Sequence, residues 1–375
     1  MFNVGEKMRV LFITNCPSPY RVRFFNELSK YCELTVVFEM EAARNRDSEW
    51  KSSEDFLFNA VFMKSLFMKE ESAFCSEVTK YIDKYKRDVI VVGGYSTPTG
   101  MYSILYMKAK RIPFILNCDG GLIKADTFIK KSIKRFFIGS AKIWLSTGKT
   151  SDEYLCYYGA NRQKILQYPF TSIKEDEVLN VSELQKKEMR EKLGIKQDKV
   201  VLYVGRFIPL KRIDVLVNAC KELQDVAVVL VGGDDLETVC GEDIRGEKSN
   251  IYVVGFKSAE ELKEYYQAAD IFVLPTSGDV WGLVINEAMA MGLPVITTEK
   301  CVAGIELVEQ GKNGYIVSVG NSDEMKEKIE ILLNDLKLRE NIKKNNIVKI
   351  GQYTIEKMAI RHIEIFKEYM TNIRE

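Results

Sequence analysis

Along the whole chain, short runs of aliphatic, β-branched and aromatic residues alternate with longer stretches in which apolar positions recur every three to four residues. That alternation predicts parallel strands buried on both faces and covered by helices. In the first half the apolar runs predict strands over Arg9–Thr14, Leu34–Phe38, Val89–Gly93, Phe114–Asn117 and Ile143–Thr147, with helices such as Tyr20–Tyr31 and Thr99–Arg111 between them. After Tyr168 the text turns polar (TSIKEDEVLNVSELQKKEMREKLGIKQDK), which predicts a connector over about 170–195 carrying one charged helix. The alternation restarts with strands expected at Val200–Val204, Val226–Val231, Ile251–Val254, Ile271–Leu274, Pro294–Thr297 and Tyr315–Val319. From Ser322 to Glu375 the period is helical throughout, with Met325, Ile329, Ile331 and Leu332 on one face and Met358, Ile363, Phe366 and Met370 on another.

The expected fold class is therefore α/β, with two Rossmann-like, doubly wound domains over 1–195 and 196–352 and a last helix over 353–375. Open parallel sheets bind ligands beyond the carboxyl ends of their strands. The loops that follow the strands are where chemistry is sought, and two such sheets facing one another would enclose a cleft.

Composition agrees with two folded domains. A chain of 375 residues exceeds one ordinary core, and 46% hydrophobic with 29% charged residues leaves no room for a long disordered tract. The eight cysteines include no C-x-x-C pair, which argues against a zinc site or a disulfide framework and fits a reducing compartment. The opening MFNVGEKMRVLFITN lacks the apolar centre of a signal peptide, and no apolar run reaches the ~18 residues of a membrane span. A cytoplasmic protein is expected, with no nucleic-acid partner. The net charge of +1 conceals an asymmetry: residues 1–195 hold 31 Lys/Arg against 24 Asp/Glu, and residues 196–375 hold 23 against 29. Either the first half faces something anionic or the charge serves solubility.

The candidate chemistry lies after two strands of the second half. Gly205-Arg206-Phe207-Ile208-Pro209-Leu210-Lys211 leaves the run VVLYV and leads into a helix near Arg212, so two cations and a helix start stand at a strand's carboxyl end. That set suits a diphosphate, and it equally suits a loop with solvated charges. Pro275-Thr276-Ser277-Gly278-Asp279-Val280-Trp281-Gly282 leaves another apolar strand and opens a helix, whose first N–H groups form an anion site. Glu287 shares a helix face with Leu283, Val284 and Met291, where a carboxylate requires a partner: ligand hydroxyls, a neighbouring backbone group or a lysine. Asp234-Asp235 is adjacent rather than spaced as a metal-binding Asp-x-Asp, and reads as a turn. No G-x-G-x-x-G follows a strand, which argues against a nicotinamide dehydrogenase.

The run PTSGDVWGLVINEAMAMGLPVIT resembles the C-terminal signature of family 4 of the retaining glycosyltransferases (glycosyl transferases group 1), which have the GT-B fold and include bacterial polysaccharide-biosynthesis enzymes. In that family two acidic residues stand eight positions apart; here they are Asp279, in place of the commoner Glu, and Glu287. GRFIPLK matches the family's upstream Gly-Arg…Lys loop. The resemblance implies that Gly205, Arg206 and Lys211 hold a donor's diphosphate, that Glu287 takes ribose hydroxyls, and that Asp279 contacts the transferred sugar. It also implies that Val280, Trp281, Gly282, Leu283 and Val284 complete the phosphate or sugar site, that Phe256 and Lys257 frame the nucleobase, and that the last helix returns to the first domain. The implied reaction is metal-independent and needs no cofactor. It moves a hexosyl or N-acetylhexosaminyl group from a nucleoside-diphosphate sugar, UDP-sugar by the family's commonest usage and GDP-sugar next, to a glycan or lipid-linked acceptor.

The first half resembles the family only in outline. Asn15-Cys16-Pro17-Ser18-Pro19-Tyr20-Arg21 has no glycine where many relatives carry a Gly-rich loop, which suggests that Pro19, Tyr20 and Arg21 serve the acceptor side. Asn117-Cys118-Asp119-Gly120-Gly121 stands where many relatives present a His-Asp-like element, and leaves Asp119 as the candidate polar group, with Gly120 beside the acceptor. The only histidine, His362, falls in the last helix and reads as a surface or packing residue. The segment Phe128 to Ile138 combines lysines with aromatics at helical spacing, so it reads either as an ordinary helix with its aromatics in the core or as one lying on an anionic membrane at the inner face of the cell. Two rival functions share the architecture: a nonhydrolysing sugar-nucleotide epimerase, and a degenerate transferase serving as a partner subunit.

Overall fold

The computed structural model of the chain describes residues 7–42, 54–68, 72–223, 225–233, 235 and 250–374. Asp234 and Cys240 lie outside the described residues, as do residues 1–6. The chain forms two compact units: Met1–Ser172 together with Thr354–Glu375, and Ile173–Tyr353.

The first unit is built on β1 (Arg9–Thr14), α1 (Pro19–Ser29), β2 (Glu33–Phe38), β3 (Asn59–Phe62), β4 (Phe67–Met68), β5 (Ala73–Phe74), α2 (Val78–Tyr85), β6 (Val89–Val92), α3 (Pro98–Lys110), β7 (Ile115–Cys118), α4 (Phe128–Ile138), β8 (Ile143–Ser146), α5 (Lys149–Tyr157) and β9 (Ile165–Gln167). Seven strands form a parallel sheet in the order β3-β2-β1-β6-β7-β8-β9, and β4 and β5 make a separate antiparallel pair. The five central strands are those the apolar runs predict. The edge strands β3 and β9 and the β4–β5 pair go unmarked in the sequence, because they are two to four residues long and only partly buried, so they carry no continuous apolar run.

The second unit comprises α6 (Glu183–Leu193), β10 (Lys199–Val204), α7 (Ile213–Cys220), β11 (Val226–Val231), β12 (Ile251–Val254), α8 (Ala259–Ala268), β13 (Ile271–Leu274), α9 (Leu283–Ala290), β14 (Val295–Thr298), α10 (Val302–Leu307), β15 (Gly314–Val317), α11 (Ser322–Asn334) and α12 (Leu336–Ile350). Its sheet is parallel in the order β12-β11-β10-β13-β14-β15. The polar segment before β10 runs with this unit. On α6, Arg190 and Lys186 reach the buried Asp270 at 2.9 and 3.2 Å, and Asp270 also accepts the Val200 N–H at 2.9 Å, so a charge that is costly to bury is satisfied on three sides.

The chain then returns to the first unit as α13 (Ile355–Arg374), which packs on α1 and buries Met358, Ile365, Phe366 and Tyr369. His362 is a packing residue within this contact. It is buried, its ring centroid lies 4.7 Å from that of Phe24 and 4.6 Å from that of Tyr168, and its Nδ1 donates to the Met358 carbonyl at 2.8 Å.

Candidate functional site

In the second sheet the sequence order of strands reverses between β10 and β13. At such a reversal the two flanking connections diverge to opposite faces and leave a crevice at the carboxyl ends. Both loops singled out in the sequence leave these two strands. They are stitched together at Leu210, whose carbonyl accepts the Ser277 N–H at 2.9 Å, the Ser277 hydroxyl at 3.0 Å and the Thr276 hydroxyl at 3.2 Å. Beside that junction Lys211, from the turn Pro209–Lys211, donates to a carboxylate oxygen of Asp279. Both side chains are largely covered, with 13% and 19% exposed, so the pair is shielded from the screening that weakens surface ion pairs. Arg206 stands exposed at the start of the same loop.

The backbone around this junction admits no larger residue. A Cβ on Gly232, after β11, would sit 2.5 Å from the Gly205 carbonyl oxygen, and Gly232 has φ +122°. Gly282, at φ +103°, caps α9, where a Cβ would stand 2.9 Å from the Cys301 sulfur. Trp281 is buried; its indole N–H donates to Asn286 at 2.9 Å and its carbonyl accepts the Ala303 N–H at 2.9 Å, so it fixes the loop rather than lying open beside it. Burial, with Asp279 nearby, pushes the Cys301 thiol up to about 12, and it remains a neutral donor to the Trp281 carbonyl at 3.2 Å. Val280 is exposed, and Leu283 and Val284 are half-buried in the first turn of α9.

Glu287, half-buried on α9, accepts a hydrogen bond of 2.9 Å from the hydroxyl of Tyr266 on α8. Tyr266 is itself buried, and burial together with the charge of Glu287 holds its hydroxyl well above the ordinary phenol range, so it serves as a donor. Phe256 and Lys257 follow β12, both half-buried, with Lys257 paired to Glu261 at 3.0 Å. Tyr266, Gly232 and Gly233 were not singled out in the sequence. The Gly-Gly pair after VVLV is a readable signal for close backbone approach, but Tyr266 is one apolar-face position among several on its helix.

In the first unit the order reverses between β1 and β6. Pro19 occupies the first turn of α1 behind Ser18, and Tyr20 meets Phe170 edge to face with centroids 5.8 Å apart. The structure brings two separately chosen candidates together: buried Arg21 forms an ion pair with Asp119, which also accepts from Asn117 Nδ2 at 2.6 Å and from the Tyr168 hydroxyl at 2.9 Å. Gly120 follows at φ +140° and its carbonyl accepts from the Cys118 thiol at 3.2 Å. Among the described residues no group of three or more His, Cys, Asp or Glu side chains is placed to hold a metal ion, and no helix is long and apolar enough to cross a membrane.

Two Rossmann-like parallel sheets and a last helix returning to α1 define a chain of the GT-B fold, with a cation–carboxylate junction at its second switch point. Residues 185–349 match the family described as Glycosyl transferases group 1. It is similar to an uncharacterized glycosyltransferase of Methanocaldococcus jannaschii, at 27% identity over 73% of this chain and 74% of that one. It is also similar to the N,N'-diacetylbacillosaminyl-diphospho-undecaprenol alpha-1,3-N-acetylgalactosaminyltransferase of Campylobacter jejuni, at 26% identity over 79% of this chain and 81% of that one. Among solved structures, Anabaena HepE in complex with UDP shares the fold with a TM-score of 0.77 at 17% identity, over 96% of this chain and 100% of that one.

Proposed function

We propose that this chain is a retaining glycosyltransferase that moves a hexosyl or N-acetylhexosaminyl group from UDP-sugar to a glycan or lipid-linked acceptor in the assembly of a cell-surface polysaccharide. The observation that carries the reading is the junction at Leu210, which holds Lys211 and Asp279 at the second switch point within a family of glycosyltransferases. UDP is favoured because HepE is solved with UDP and with UDP-glucose. A lipid-linked acceptor is favoured because the Campylobacter relative is named for a diphospho-undecaprenol substrate.

In this reading Arg206 and Lys211 carry the diphosphate, Glu287 takes the ribose hydroxyls, and Asp279 contacts the sugar. Lys211 exchanges part of its bond to Asp279 for the phosphate, which frees that carboxylate for a sugar hydroxyl. The acceptor oxygen bonds to the anomeric carbon as the bond from that carbon to the diphosphate oxygen breaks. The acceptor's proton passes to the departing diphosphate, so no enzymic base is required. Charge grows on the leaving group, and fixed cations that are already oriented stabilise it without reorganising; one such donor is worth on the order of 100- to 1000-fold in rate. In the first unit the Arg21–Asp119 pair shapes the acceptor side, with Tyr20 and Gly120 beside it.

Calorimetric titration of UDP, GDP, ADP and CMP in EDTA tests the donor site. Micromolar binding of UDP is expected, weakened about 100-fold or more in Arg206→Ala/Lys211→Ala, since two charge-assisted contacts are lost. Tight binding of UDP by that double variant would overturn the assignment, and binding of GDP alone would replace the nucleobase.

A further inference from the structure

Helix α4 turns one face inward and leaves a second apolar face outside. Phe137 and Ile138 enter the core, and the Ile138 carbonyl accepts the Trp144 indole N–H at 2.8 Å. On the opposite side Phe128 is 86% exposed, Ile129 71%, Ile133 45% and Phe136 42%. These positions follow the spacing i, i+1, i+5, i+8, so they share one stripe about two turns long. Leu105 on α3 extends it: Lys108 of that helix lies 4.5 Å above the Phe136 ring, and Leu105 is exposed as well. Scattered exposed apolar residues are ordinary, but a contiguous stripe of four on one short helix marks a contact surface.

The charge around the stripe selects the partner. Residues 101–150 hold ten Lys/Arg and two Asp/Glu, so this segment accounts for the whole basic surplus of the first half. Both acids are engaged: Asp119 pairs with Arg21, and Asp126 with Lys134 at 2.7 Å and Lys130 at 3.6 Å. Beside the stripe stand Lys108, over Phe136, and Lys130, Lys131 and Arg135 of α4 itself, while the side chain of the neighbouring acid Asp126 is buried against Lys130 and Lys134. We propose that α4 docks the first unit onto an anionic lipid bilayer, with Phe128, Ile129, Ile133 and Phe136 entering the headgroup–acyl boundary and the rim lysines and arginine meeting lipid phosphates. A convex stripe matches a fluid interface, which closes around each side chain without a preformed groove. A second copy of the chain would bring two basic rims together, so charge disfavours self-association through this face.

Flotation with phosphatidylcholine vesicles, with and without phosphatidylglycerol, tests the proposal on the full chain. The wild type is expected to bind the anionic vesicles at least about tenfold more tightly, with binding that falls as salt rises. Phe128→Ser/Ile129→Ser, at exposed positions, and separately Lys130→Gln/Arg135→Gln are each expected to cut that binding about tenfold or more while UDP affinity stays unchanged. Equal binding to both vesicle types, or variants that float like the wild type, would overturn it. So would a dimer in sedimentation that the Phe128→Ser/Ile129→Ser variant abolishes, since the stripe would then belong to a second copy.

Discussion

At the residue scale the second unit pairs each acid of the proposed donor site with a protein group: Asp279 with Lys211, and Glu287 with Tyr266. In the proposed donor site the second pairing gives Tyr266 a positioning role. A carboxylate that accepts ribose hydroxyls works best when one oxygen is already held, because the rotor entropy is spent in folding rather than in binding. A hydrogen bond to a charged group contributes about 1.5 to 3 kcal/mol. Tyr266→Phe should therefore weaken UDP about tenfold while leaving the affinity for a deoxyribose analogue of UDP nearly unchanged; calorimetry on both ligands checks this, and equal weakening of both would reduce Tyr266 to a packing residue.

At the element scale, the contact of α13 on α1 encloses an imidazole in aromatic surroundings. Burial drives His362 down to about 4, with Asp119, Arg21 and Arg361 as lesser influences. An unfolded chain binds this proton near the ordinary histidine value of about 6.5, and the folded one only near 4. Between these values the unfolded state holds more protons, so stability falls as pH drops through that window and is unaffected by this group above about pH 7. His362→Gln keeps a donor for the Met358 carbonyl but does not titrate. Urea unfolding at pH 7 and pH 4.5 should show the wild type losing about 2 to 3 kcal/mol more than the variant. Identical losses would mean that the ring is reached by water.

At the scale of the whole molecule, the chain crosses between its units twice, at 172–173 and 353–354. Every residue of the proposed donor site, from Gly205 to Glu287, lies in the second unit together with its own sheet and core. The fragment 173–353 should thus fold cooperatively alone and hold UDP within about tenfold of the full chain. A chain ending at 353 should instead lose the first unit's cooperative transition, because α1 would lose its packing helix and with it the burial of Met358, Ile365, Phe366 and Tyr369, each worth about 1.5 to 3 kcal/mol. Calorimetry of the two truncations, with and without UDP, reads both outcomes.

The sequence by itself determined the two parallel sheets, since central strands buried on both faces must be written as unbroken apolar runs, and those runs stand out in any order of folding. It also carried the family resemblance, through GRFIPLK and PTSGDVWGLVINEAMAMG, because backbone approach and charge at fixed offsets leave a local record. What only the tertiary structure decided are relations between residues far apart in the chain. They are the bond from Tyr266 to Glu287, the pairing of Arg21 with Asp119 across 98 positions, the stitching of two loops at Leu210, and which face of α4 is left outside. A helical period states that a face is apolar. Only the packing of its neighbours states whether that face is covered.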